Sequence, residues 1–190
     1  MLFLCKKMKK IFCKIILSIM RWKIILPTKY PDKCVIIMAP HTSNWDFVVG
    51  RCCAYAIGLS PKYMAKSELF IPILRFFIKL NGGIPVDRSK KGNIVDQMVS
   101  LFNVSEKLAL AIAPEGTRKR VNKWKSGFYH IAMRSNVPIV LMKIDYKKKE
   151  IGVCGKIMAS GDYNSDIEYI QKKYHNVNAK YPKNFNKKFK

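Results

Sequence analysis

Apolar and polar positions alternate along this chain in short blocks with two different periods. Residues 34–39 form an unbroken apolar run and read as a buried strand. Residues 45–57 follow with helical spacing, and Gly58 supplies a stop. The succession then repeats. Residues 62–65 predict a short strand, 72–80 a helix ended by Asn81-Gly82-Gly83, 84–86 a short strand and 93–104 a helix. Residues 108–113 predict a buried strand, 127–134 a helix, 137–144 and 151–157 two strands, and 165–174 a last helix. Strands interleaved with helices predict an α/β fold: a single domain with a mixed, largely parallel sheet flanked by helices. In such sheets, sites form at the carboxyl ends of the strands.

The two ends of the chain carry different patterns. Residues 11–26 are apolar but contain Lys14, Arg21 and Lys23, so the run is too short and too charged to span a bilayer. Drawn as a helix, Lys7, Lys10, Lys14, Ser18 and Arg21 fall on one side, and Phe12, Ile15, Ile16, Ile19 and Trp22 cover much of the rest. A basic amphipathic helix with flanking lysines and a Trp suits a headgroup boundary, so residues 1–30 are expected to associate with a membrane. Packing on the domain's own core is the other reading of the same pattern. Residues 31–176 form the expected main domain. Residues 177–190, rich in Asn and Lys with scattered aromatics, are expected to be a flexible basic tail.

Charge changes the picture of the partners. Lys and Arg number 36 against 12 Asp and Glu, a net +24 that favours polyanions, either nucleic acid or an anionic membrane surface. No base-stacking sheet face or recognition helix is legible, so no nucleic acid is expected. The six cysteines include no C-x-x-C pair and no zinc-ligand spacing, so no metal is expected and the thiols fit a reducing compartment. There is no P-loop, G-x-G-x-x-G or G-x-S-x-G, so nucleotide cradling and serine nucleophile chemistry are not indicated.

Three polar clusters remain. Pro40-His41-Thr42-Ser43-Asn44-Trp45-Asp46 follows the first apolar strand directly. A His oriented by a carboxylate makes a hydroxyl nucleophilic near neutral pH. In one continuous helix five residues turn through about 500°, leaving His41 and Asp46 about 140° apart. They meet only if His41 sits at the strand end and Asp46 in the first turn of the next helix, and Thr42, Ser43 and Asn44 supply the capping residues for that turn. Gly82-Gly83-Ile84-Pro85-Val86-Asp87-Arg88 is a glycine turn and a short strand that puts an arginine at the strand end, where it can grip a phosphate. Pro114-Glu115-Gly116-Thr117-Arg118 follows the strand at 108–113; Gly116 permits a turn that sets a carboxylate, a hydroxyl and a guanidinium around one ligand. Lys119, Arg120, Lys123 and Lys125 add positive potential beside it.

Together these blocks resemble the glycerolipid acyltransferase family, the lysophosphatidic acid acyltransferase group. His41 to Asp46 is similar to the family's H-x4-D block, Gly82 to Arg88 to its glycine-to-arginine block, Glu115 to Arg118 to its E-G-T-R block, and Val137-Pro138-Ile139-Val140 to its fourth. Trp124-Lys125-Ser126-Gly127 looks like the segment after the third block. Pro40 stands where many members carry Asn. The resemblance covers about residues 34–144. It implies an O-acyltransferase of phospholipid biosynthesis, moving a fatty acyl group from acyl-CoA or acyl carrier protein to a lysophospholipid hydroxyl, such as that of 1-acyl-glycerol-3-phosphate. It implies His41 as general base, Asp46 as its orienting carboxylate, and Arg88, Glu115, Gly116, Thr117 and Arg118 at the acceptor phosphate. It implies no cofactor, and a peripheral or monotopic place on the cytoplasmic face of the cell membrane. An acyl-amino-acid lipid precursor as acceptor stays open, as does a basic lipid- or nucleic-acid-binding protein without catalysis.

Overall fold

The computed structural model describes residues 2–25, 30–86 and 93–187, with the side chains of 2–6 and 93 left out. The expected α/β domain is present. In chain order the elements are α1 (Leu2–Ile19), β1 (Lys23–Ile25), β2 (Lys33–Ala39), α2 (Asn44–Ile57), β3 (Lys62–Lys66), α3 (Pro72–Leu80), β4 (Gly83–Val86), α4 (Asn93–Val104), β5 (Leu108–Ile112), α5 (Gly127–Arg134), β6 (Ile139–Asp145), β7 (Glu150–Ile157) and α6 (Tyr163–Lys172). The strands form one sheet in the order β1-β7-β6-β2-β5-β3-β4. Strands β6, β2, β5, β3 and β4 run parallel, β7 pairs antiparallel with β6, and β1 pairs parallel with β7.

Continuous apolar runs become central strands because both faces of this sheet are covered. Successive residues point to opposite faces. Val35 and Ile37 of β2, with Ile139 and Leu141 of β6 and Leu110 of β5, pack with Met98, Phe102, Phe128 and Ile131 of α4 and α5. Cys34 and Ile36, with Val140, Met142 and Ile144, pack on the other face with Val49 and Cys53 of α2 and Cys13 and Leu17 of α1. β2 lies at the centre, flanked by β5 and β6, so whatever leaves its carboxyl end has a neighbour on each side.

Both chain ends depart from expectation. Residues 23–25, expected to continue one amphipathic run, form β1, registered on β7 through Lys23–Glu150, Ile24–Ile151 and Ile25–Gly152. Trp22, expected at a headgroup boundary, is buried with its ring edge-on to Tyr146 at 5.1 Å. Helix α1 also packs on the domain through Cys13 and Leu17, although Met8, Ile11, Phe12, Ile15 and Ile19 stay exposed. The segment read as a flexible tail from residue 177 is packed as far as described. Val177, Ala179 and Phe185 are buried, the Asn178 carbonyl accepts from the Tyr146 N–H at 2.8 Å, and the Asn186 amide donates to the Val121 carbonyl at 3.3 Å. These three apolar side chains join the same buried cluster as Trp124, Ile170 and Tyr174, and their burial offsets the ordering of the segment. Residues 188–190 lie outside the described residues.

Candidate active site

The turn from β2 into α2 builds the centre of the site. Ser43 caps α2: its Oγ accepts from the Trp45 N–H at 3.2 Å. Asp46, the third helical residue, reaches back, and its Oδ2 accepts from the main-chain N–H groups of Ser43 at 2.8 Å and Thr42 at 2.7 Å. This is a capping box, with an aspartate in the returning position. The same Oδ2 lies 3.3 Å from Nδ1 of His41. The predicted geometry, a strand-end histidine met by a first-turn carboxylate, is therefore present. One side chain satisfies helix-end donors and holds the imidazole.

Burial divides the pair into support and working face. The Asp46 side chain is 1% exposed and that of His41 23%. Burial by itself would raise the Asp46 pKa. Hydrogen bonds from His41, Tyr146, Ser43 and Thr42 outweigh it and hold the carboxyl below its ordinary value. Asp46 is thus anionic at neutral pH. With a carboxylate facing Nδ1, the neutral imidazole carries its proton there, and Nε2 keeps the lone pair.

Neighbours close in from both flanking strands. Beyond β5, Glu115 is buried, and its Oε1 accepts from the His41 main-chain N–H at 3.0 Å. Its Oε2 is buried without a hydrogen-bond partner. Desolvation pushes the Glu115 carboxyl up to about 7, even with two main-chain hydrogen bonds and the His41 charge opposing it. Beyond β6, the Tyr146 hydroxyl donates to Asp46 Oδ1 at 2.8 Å. From the C-terminal segment, the Tyr181 N–H donates to Thr42 Oγ1 at 3.3 Å, and the Lys180 ammonium lies 4.9 Å from the Trp45 ring centre.

The turn after β5 presents the remaining predicted groups. Gly116 has φ +66°, and an added Cβ there would lie 2.8 Å from Lys125 Cε. Glycine adopts that left-handed backbone without strain, and any Cβ there would push the flexible end of the Lys125 side chain aside. The Lys125 N–H donates to the Pro114 carbonyl at 2.9 Å, folding the basic loop back on the turn. Thr117 Oγ1 accepts from the Lys119 N–H at 3.3 Å, and Arg118 is exposed. The structure thus brings Asp46 and Glu115 each into contact with His41 and sets Gly116, Thr117 and Arg118 on the turn Glu115 begins. Arg88 lies outside the described residues.

Residues 23–144 match the sequence pattern of the family described as Acyltransferase, more than half of the 190-residue chain. The chain belongs to the glycerolipid acyltransferase family. It is 32% identical over 126 residues to 1-acyl-sn-glycerol-3-phosphate acyltransferase of Saccharomyces cerevisiae, covering 62% of this chain and 41% of the yeast protein. It is 31% identical over 130 residues to the probable 1-acyl-sn-glycerol-3-phosphate acyltransferase of Mycoplasma pneumoniae, covering 64% of this chain and 48% of that one. The matched region thus spans less than half the length of these two relatives. The fold is similar to the crystal structure of the 1-acyl-sn-glycerophosphate (LPA) acyltransferase PlsC from Thermotoga maritima, with a TM-score of 0.60 and 17% identity over 88% of this chain and 75% of that one.

Tyr146 escaped the sequence reading. The signal was its place: it is the first residue past β6, at the carboxyl end of a strand adjacent to β2. Lys180 and Tyr181 had no such signal, since they stand in a segment without periodicity. Among the described residues, no group of three or more His, Cys, Asp or Glu is placed to hold a metal ion.

Proposed function

We propose that this acyltransferase moves a fatty acyl group from acyl-CoA or acyl carrier protein to the hydroxyl of a lysophospholipid, with 1-acyl-glycerol-3-phosphate as acceptor. The observation that carries the reading is the His41–Asp46 pair, held by a helix cap at the centre of the sheet's carboxyl edge in a chain of this family. His41 Nε2 takes the proton of the acceptor hydroxyl. The oxygen attacks the thioester carbonyl, forming the C–O bond, and the C–S bond breaks. The proton on the imidazole passes to the departing thiolate. Asp46 stabilises the imidazolium between these two transfers without accepting its proton. Arg118 and Lys125, beside the Gly116 turn, with Arg88 implied by the family pattern, supply positive charge for the acceptor phosphate. No cofactor enters this chemistry.

The site works at the cytoplasmic face of a membrane, with the chain bound peripherally. No helix among the described residues is long and apolar enough to cross a membrane. Two helices support a surface-bound reading. Alongside the exposed apolar row of α1, helix α3 buries none of its side chains: Ile73 is 79% exposed and Phe76 66%, with Leu74, Phe77 and Leu80 also outside. Arg75 and Lys79 lie on the same face of α3 as Pro72, Phe76 and Leu80. Apolar side chains interleaved with cations suit an anionic lipid surface.

The test is transfer of labelled acyl groups from acyl-CoA and acyl carrier protein to a panel of lysolipids, with wild type beside His41→Ala. Transfer by wild type alone is expected, and the panel reports the acceptor. Undiminished transfer by the folded His41→Ala variant would overturn the mechanism.

A further inference from the structure

We propose that Tyr146 is a positioning residue for acyl transfer, fixing the Asp46 carboxylate so that one oxygen stays on the histidine. The inference rests on the reading of His41 as the base.

The argument starts from the distribution of donors around Asp46. Oδ2 receives the N–H groups of Thr42 and Ser43 and faces His41 Nδ1. Oδ1 receives the Tyr146 hydroxyl at 2.8 Å. The side chain is 1% exposed, so water has little access to replace that donor. A buried carboxylate oxygen without a partner is strongly unfavourable. With the hydroxyl gone, the carboxylate relieves the deficit by turning Oδ1 toward the capping N–H groups or by taking up a proton. Either response displaces the anionic oxygen from Nδ1. The charge that stabilises the imidazolium is then lost at the moment the base needs it.

Tyr146 is held for this task from three sides. Its N–H donates to the Asn178 carbonyl at 2.8 Å. Its ring stands edge-on to Trp22, 5.1 Å away and 84° out of plane, and the Lys180 ammonium lies 5.8 Å from its centre. Burial first, and its hydrogen bond to Asp46 second, push its phenol well above the ordinary value, so it remains a donor throughout the working range. It does not contact the reacting atoms; it acts through Asp46. A tyrosine 100 residues from its aspartate thereby joins the end of α1 and the C-terminal segment to the catalytic turn.

Tyr146→Phe in the full chain separates the hydroxyl from the ring. It is assayed beside wild type, His41→Ala and Asp46→Asn, on the acyl thioester and lysophospholipid pair that wild type turns over. The expected result is a fall in kcat of about tenfold to a hundredfold, the range for one lost charge-assisted hydrogen bond, with both KM values essentially unchanged and a lowering of the melting temperature that leaves the variant fully folded at the assay temperature. In the Asp46→Asn background the same change is expected to add nothing. Wild-type kcat in Tyr146→Phe, or an equal further loss in the Asp46→Asn background, overturns the proposal while an inactive His41→Ala leaves the base assignment standing. A loss explained by a lower melting temperature at unchanged kcat also overturns it, because a purely structural role gives that result. Activity in His41→Ala removes the base assignment and the proposal with it.

Discussion

The main-chain N–H of His41 donates to Oε1 of Glu115 at 3.0 Å, tying the turn after β2 to the turn after β5. The other oxygen of that carboxyl is buried without a partner. Glu115 is therefore a support that is held partly protonated, with a folded-state pKa of about 7 against an ordinary 4.5.

This arrangement sets a pH dependence of stability. Below about 4.5 the carboxyl is protonated in both the folded and unfolded chain and has no effect. As pH rises from 4.5 through 7, the unfolded chain releases the proton first, so the folded state loses stability over that window. Above 7 the loss is complete and constant, at roughly 3 kcal/mol. Glu115→Gln keeps an oxygen for the His41 N–H and removes the titration. In urea unfolding from pH 4 to pH 8, the variant is expected to gain on wild type across the window. A difference that stays flat with pH would refute this.

Asp46 performs two tasks that substitution can separate. Asp46→Asn keeps the capping hydrogen bonds within reach but removes the charge that faces Nδ1, so kcat is expected to fall by roughly 10²- to 10⁴-fold with little change in melting temperature. Asp46→Ala is expected to lose about 1 kcal/mol more of stability through the missing cap. Kinetics and thermal unfolding on the same preparations check both.

The C-terminal segment is expected to carry stability. Phe185 is buried in the main core with Val177 and Ala179. Phe185→Ala should cost about 3 kcal/mol, measured by denaturant unfolding, where a mobile tail would give no change. Removing residues 177–190 should also reduce turnover, since the segment donates to Thr42 and holds the Tyr146 main chain.

Helix α3 provides the test of membrane placement. Phe76 and Phe77 are exposed, so Phe76→Glu with Phe77→Glu leaves packing intact. In flotation with vesicles containing phosphatidylglycerol, the double variant is expected to bind at least about tenfold more weakly than wild type, with the same melting temperature. Unchanged binding would remove α3 from the lipid surface.

Much of this was legible in the chain because its causes are local. Pro72 at one end of α3, Gly58 after α2 and the Ser43–Asp46 cap act within a few residues, so the helix limits, and the one geometry in which His41 can meet Asp46, are legible in the spacing. The apolar runs at β2, β5 and β6 carry the parallel sheet for the same reason, since a strand covered on both faces has no polar side to show. Other features depend on partners far along the chain. β1 is three residues long and exists because β7 offers an edge to pair with. Val177, Ala179 and Phe185 stand singly among polar residues, and only the groove that receives them distinguishes core from tail. Helix α3 has an apolar pattern that suits a buried helix equally well; the fold leaves it uncovered. Tyr146 meets Asp46 because β6 and β2 are adjacent and in register, a relation no short window of sequence contains. Propensity and capping act over one or two turns, whereas burial and long-range hydrogen bonds are settled only when all the surfaces compete at once.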